Sequence, residues 1–258
     1  TIRLPSNGNG YREGSIDIPD TREIPVYPMT AIDEVNVRTP DALVNGSAVV
    51  NLIKSCVPNI KDPWEVSNVD LDTILIAIKI ATTGPKLNVE SECGNCEGTN
   101  NTQLNLFETL ESIQKADYDD PLSVDQLQIK FKPLNYKQVI NSNELQMEVQ
   151  KKISAINDPE VSDDEKAKIT NNIVKELNQL SMSLVLDTIE YVRTPDSAVF
   201  EREFIKEFLE NCDRETFEKI KNKNIDLRTQ SEVKPFNVTC VHCSNQYDVD
   251  LNINIDSL

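Results

Sequence analysis

Apolar residues along the chain follow two different periods. From residue 47 to 57 they recur as Val49, Val50, Ile53, Cys56 and Val57, a helical spacing closed by Pro58. Cys56 on that face reads as a core thiol. The run LDTILIAIKIAT, residues 71–82, is apolar nearly all round and predicts a helix in the middle of a domain, capped by Asp70 and ended by Gly84 and Pro85. Thr39, Pro40 and Asp41 predict another helix start, with an N-cap, a proline at the first position and an acid near the positive end. A further helix is expected from about residue 137 to 155. After a proline-containing break, Ser162 and Glu165 form a capping box for a helix carrying Ile169, Ile173, Leu177, Leu180 and Leu184, running to about Val192. That stripe reads as the buried face of a bundle helix or as a coiled-coil seam. The pentapeptide VRTPD, at 37–41 and again at 192–196, reads as the same capping chemistry at two helix starts or as chance. Two short amphipathic helices follow, broken around residues 211–213, with Cys212 in a structural place beside the break.

The other period is two. Residues 86–107 alternate at Leu87 and Val89, turn through Cys93-Gly94-Asn95-Cys96, and alternate again at Leu104 and Leu106. A second copy runs from Phe236 and Val238 through Cys240-Val241-His242-Cys243 to Tyr247, Val249, Leu251 and Ile253. One more strand is expected within residues 122–136. Residues 1–24 keep neither period and predict an extended N-terminal arm, either a loose terminus or one that orders against a neighbouring subunit. The expected organisation is arm 1–24; helices plus the first Cys-x-x-Cys hairpin, 25–110; a strand and helical insertion, 111–229; and the second hairpin, 230–258. The fold class is α+β, a mostly helical domain built around a split, zinc-ribbon-like pair of β-hairpin knuckles.

Composition narrows the chemistry. The 258 residues suffice for a real hydrophobic core. With 43 acidic against 26 basic residues and a net charge of -17, a broad phosphate-binding surface is not expected, and nucleic acid is not a direct partner. The acidity reads as a solvated surface or as one that docks onto basic proteins. No apolar run is long enough for a membrane span and no secretory signal pattern opens the chain, so a soluble protein made in a cytoplasm is expected. A start at Thr1 fits removal of an initiator methionine before a small residue. A phosphate-binding loop, a dinucleotide turn, HExxH and the Gly-x-Ser-x-Gly elbow are all missing, and the single histidine, His242, lies inside a cysteine pair. An enzyme is not expected.

Four of the six cysteines fall into the two close pairs. Each Cys-x-x-Cys turn offers two thiolates to one side of a tetrahedron, so Cys93, Cys96, Cys240 and Cys243 are the candidate ligands of a structural Zn²⁺. Four sulfurs leave no open position for catalysis. Residues 97–239 lie between the pairs, far more than the about 15–20 of an ordinary ribbon, yet loop closure costs rise only logarithmically and a folded insertion is tolerable. A redox dithiol, disulfides or free core thiols are the competing readings; a redox dithiol belongs at a helix N-terminus, whereas both pairs here precede strand patterns. His242, in the middle of a knuckle, is expected to point to solvent.

The runs RTPDALVNGSAVVNLIKSCVPNI, DPWEV and DLDTILIAIKIAT, followed by the separated pairs Cys93/Cys96 and Cys240/Cys243, resemble the baseplate hub proteins of T-even-type contractile-tailed phages and cyanophages over residues 25–258. The resemblance implies a structural component of the tail baseplate at its hub. It would act by binding other phage baseplate and tail-hub proteins in multiple copies per particle, in the host cytoplasm during assembly and then in the virion tail. A hub assembly chaperone absent from the mature virion, a zinc-ribbon regulatory binding protein and a thiol oxidoreductase are the alternatives.

Overall fold

Thr30 opens the first helix of the computed structural model, which describes residues 1–38, 45–156 and 162–251. The Thr30 side chain caps α1 (Ala31–Val37), and Asp33 answers on the Thr30 N–H in a reciprocal capping box. The Asp33 carboxylate also accepts from Ser55 Oγ at 2.9 Å, fastening α1 to α2 (Ser47–Cys56). The expected helix start at Thr39 lies outside the described residues. After a short 3-10 turn (Pro63–Glu65) comes α3 (Asn68–Thr83), ended by Gly84 at φ 88°, a conformation natural to glycine.

The chain divides into two compact units, Thr1–Ala116 with Arg228–Leu258, and Asp117–Leu227. In the first, Leu52, Ile53, Val57, Ile60, Ile74 and Ile78 form the centre of one buried cluster. Residues from the 1–24 arm join that cluster, so the arm packs on its own chain, where a loose terminus or one ordered against a neighbouring subunit was expected. Ile2, Leu4 and Ile24 are buried in it, Ile2 and Ile24 bridge to each other, and Ile16 bridges to Ile60. Asp70 also corrects its expected role. The N-cap of α3 is Ser67, and the Asp70 side chain turns away from the helix terminus toward the arm. Two antiparallel hairpins complete this unit, β1 (Lys86–Glu92) with β2 (Thr99–Asn105), and β7 (Phe236–Thr239) with β8 (Gln246–Val249). A short α4 (Leu106–Ser112) follows β2, capped by Asn105.

The second unit carries a four-stranded antiparallel sheet in the order β3 (Leu122–Val124), β4 (Leu127–Phe131), β5 (Ile189–Arg193), β6 (Ala198–Val199). Between β4 and β5 the chain runs out along α5 (Tyr136–Ile156) and back along α6 (Asp163–Asp187), whose Ser162–Glu165 capping box is present. Lys152 clasps both oxygens of Glu176 at 2.7 Å across this helical pair. The expected continuation of α6 to Val192 is corrected: Thr188 ends the helix, and residues 189–193 are a strand. The second VRTPD is therefore no helix start. Thr194 Oγ1 accepts from the N–H groups of Asp196 and Ser197 and shapes the β5–β6 turn. Then come α7 (Arg202–Asn211) and α8 (Arg214–Gln230). The whole is a mixed α+β architecture of helices and small antiparallel sheets, as expected. Among the described residues no helix is long and apolar enough to cross a membrane.

Candidate metal centre

Both hairpins end their first strand at a cysteine for the same local reason. The Cys93 N–H donates to Gly98 O at 3.1 Å and the Glu97 N–H to Cys93 O at 2.8 Å, closing a tight knuckle. In the other hairpin the Cys240 N–H donates to Asn245 O at 2.8 Å and the Ser244 N–H to Cys240 O at 2.9 Å. Each knuckle needs one left-handed residue, and Glu97 and Ser244 supply it with φ of 57° and 59°. Strand alternation buries the first cysteine of each pair, and the turn leaves the second at the surface. Cys93 and Cys240 are buried, while Cys96 and Cys243 are exposed.

The two knuckles face each other. All four Sγ atoms lie within 4.8 Å of one another. Cys93 Sγ stands 3.7 Å from Cys243 Sγ, and Cys96 Sγ 3.6 Å from Cys240 Sγ. A tetrahedron with metal–sulfur bonds of about 2.3 Å has edges of about 3.8 Å, so these separations suit one Zn²⁺-sized ion with four thiolate ligands. Neither pair begins a helix, the position that would activate a redox dithiol. Cys56 and Cys212 lie apart from the cluster. Cys56 is fully buried, and burial pushes its thiol up to about 11.

Hydrogen-bond donors surround the sulfurs, an arrangement that favours thiolates. The His242 N–H points at Cys240 Sγ from 3.4 Å. Asn95 Nδ2 reaches across to Cys243 Sγ at 3.6 Å, and Asn245 Nδ2 to Cys93 Sγ at 3.8 Å. Burial works against a Cys240 thiolate, but the His242 N–H and the Asn100 amide outweigh it and bring this thiol down to about 6. At Cys96 the Gly98 N–H favours the thiolate, but the adjoining Cys243 sulfur and burial prevail and push it up to about 12. A metal ion would displace the protons that the thiols carry.

His242 is exposed, as expected, but it does not simply point to solvent. Its ring crosses to the first hairpin, with Nε2 3.2 Å from Thr99 O. The crossing needs Gly98, where an added Cβ would stand only 2.5 Å from His242 Cδ2. Sequence reading missed Asn100 and Tyr247, whose side chains meet at 3.0 Å between the hairpins. The available signal was an asparagine, a poor strand former, at a position where alternation points inward.

A family model described as T4 bacteriophage base plate protein matches residues 15–256. No curated protein and no solved structure gives a significant match to the chain.

Proposed function

The chain belongs to the T4 bacteriophage base plate protein family, and from that premise we propose that it is a structural subunit of the hub region of a contractile tail's baseplate. It acts by binding other baseplate and tail-hub proteins in several copies per particle, and not by catalysis. A phage baseplate role and a place in the virion tail go with the family. The hub position, the partners, the copy number and assembly in the host cytoplasm are our reading. The observation that carries it is the family match, which spans nearly the whole chain. A net charge of -17 further supports protein partners over nucleic acid.

Within the subunit, Cys93, Cys96, Cys240 and Cys243 hold a structural Zn²⁺. The support is the near-tetrahedral spacing of their sulfurs. When bound, the ion supplies four strong bonds and no open position. The residues do the rest. The knuckle N–H groups stabilise the thiolates, the strands aim them, and the centre ties Thr1–Ala116 to Arg228–Leu258 within the first unit. Mass spectrometry of gradient-purified virions tests the subunit reading. Peptides of this chain at a copy number commensurate with the baseplate's symmetry are expected. Presence in infected-cell assembly intermediates with absence from finished particles would replace it with the assembly-chaperone reading.

A further inference from the structure

The two cysteine hairpins share one register. Ser91 stands opposite Asn100 in the first, and Val238 opposite Tyr247 in the second, each pair at the same distance from its knuckle. Asn100 and Tyr247 thus occupy equivalent positions, and these are the positions that meet. The residues filling them differ in a way that matters to the sulfurs. Among the described residues, Tyr247 Oη bonds only to polar groups outside the cluster, at 2.9 Å from Ser91 Oγ and 3.0 Å from Asn100 Nδ2. Asn100 is only 2% exposed and spans the hairpins. Its Oδ1 accepts from the Val241 N–H at 2.9 Å, and the two hydrogens of its Nδ2 are shared among Gly98 O at 3.0 Å, Tyr247 Oη at 3.0 Å and, longest of the three, Cys240 Sγ at 3.5 Å. Among the described residues, it is the one fully buried side chain that donates to a sulfur of the cluster; Asn95 is exposed and Asn245 half-buried.

We propose that Asn100 is the positioning residue of the four-cysteine centre: from a strand of the first hairpin it holds both the sulfur and the knuckle backbone of the second, and so sets the centre's metal affinity and the character of the Cys240–metal bond. The proposal rests on the reading of the four cysteines as a metal centre. Its physical basis is charge. Four thiolates around a dication carry an excess of two negative charges, and a buried N–H···S bond offsets part of that excess without water. It also withdraws electron density from the sulfur, which alters the energy of sulfur-to-metal charge transfer. One carboxamide does both tasks because its acceptor and donor ends face the two partners at once.

The test uses the full chain loaded with Co²⁺, whose thiolate charge-transfer bands report the ligands, followed by chelator competition for Zn²⁺ affinity. Asn100→Asp keeps the shape and the acceptor for the Val241 N–H, but removes the donor and sets a carboxylate against the sulfur. It should bind about 10–100-fold more weakly and shift the charge-transfer band, while Tyr247→Phe, which keeps the N–H···S bond, should stay within about threefold of wild type with an unshifted band. Asn100→Asp matching wild type in both affinity and spectrum would overturn the proposal. So would Tyr247→Phe reproducing the whole Asn100→Asp effect, because the network would then serve only to hold the hairpins. Wild type loaded with NMR-active cadmium needs no variant to fold: the Asn100 side-chain N–H proton should show scalar coupling to the metal through Cys240 Sγ, and a resolved proton without coupling would sink the idea. Failure of the wild-type chain itself to take up Co²⁺ is a different result, which removes the metal reading and this inference with it.

Discussion

Raising the pH from 4 to 7 should loosen the hold of the N-terminal arm on α3, and Asp70 is the reason. Its carboxylate is fully buried and accepts from the Ser6 N–H at 2.7 Å, Ser6 Oγ at 2.5 Å and Tyr11 Oη at 3.0 Å. None of these donors is a cation. Burial therefore dominates and pushes the carboxyl from 3.8 up to about 6, although the Ser6 and Tyr11 hydrogen bonds pull the other way. A carboxyl that binds its proton more tightly in the native state adds stability that is complete below its unfolded value and is lost as pH rises through its folded value. Two pH units of difference correspond to about 3 kcal/mol. Asparagine at this position carries no titrating proton, so the stability of wild type relative to Asp70→Asn should fall by about 2 kcal/mol between pH 4 and pH 7, short of the full amount because the unfolded carboxyl is already partly ionised at pH 4. The other carboxyls titrate in both proteins and cancel in the difference. Urea unfolding at fixed ionic strength, followed by the fluorescence of the single tryptophan, Trp64, reads the unit that contains Asp70. Parallel stability curves for the two proteins across this range would refute the reasoning, and a gap that widens in favour of wild type as pH rises would reverse its sign.

Two further outcomes follow from packing. Ile53 is completely buried at the centre of the first unit's core, and Ile53→Ala should cost about 2–5 kcal/mol in urea unfolding by lost burial plus a cavity. Gly98→Ala would drive a Cβ into the His242 ring and break its contact with Thr99 O, so it should lower the melting temperature alone and less in a His242→Ala background, where the close approach to Cys96 Sγ at 3.2 Å remains. A coupling of about 0.5–3 kcal/mol is expected from that double-mutant cycle, and additive effects would contradict the packing described here.

Much of the fold was legible because it is written locally. The spacing of Val49, Val50, Ile53 and Cys56, with Pro58 after it, predicts α2. The Ser162–Glu165 box is a four-residue signal and marks the start of α6 to the residue. The end of that helix was not legible. Leu186, Ile189 and Val192 satisfy a helical period and are all buried, yet the last two belong to a strand paired with β4. Only the partner strand, about sixty residues earlier in the chain, decides between the two. The arm's packing on its own chain was not legible for the same kind of reason. Its order comes from single apolar anchors, Ile2, Leu4 and Ile24, and from Ser6 meeting Asp70, none of which is periodic. Asp70 also looked like an N-cap because an acid just before an apolar run usually is one. Around the cysteines the spacing announced two knuckles, and a polar residue at an inward strand position marked Asn100 as unusual, but its partners Tyr247, Val241 and Cys240 lie on the other hairpin, which no local pattern names.

Whether the four thiols hold a metal decides how the first unit is held together. Elemental analysis of the full chain purified without chelator or added metal, paired with thiol counting, tests this most directly. About one zinc per chain is predicted, with Cys93, Cys96, Cys240 and Cys243 blocked from alkylation until the ion is released, and with loss of the first unit's structure on release. A metal-free protein whose four cysteines alkylate freely while its fold remains intact would contradict it.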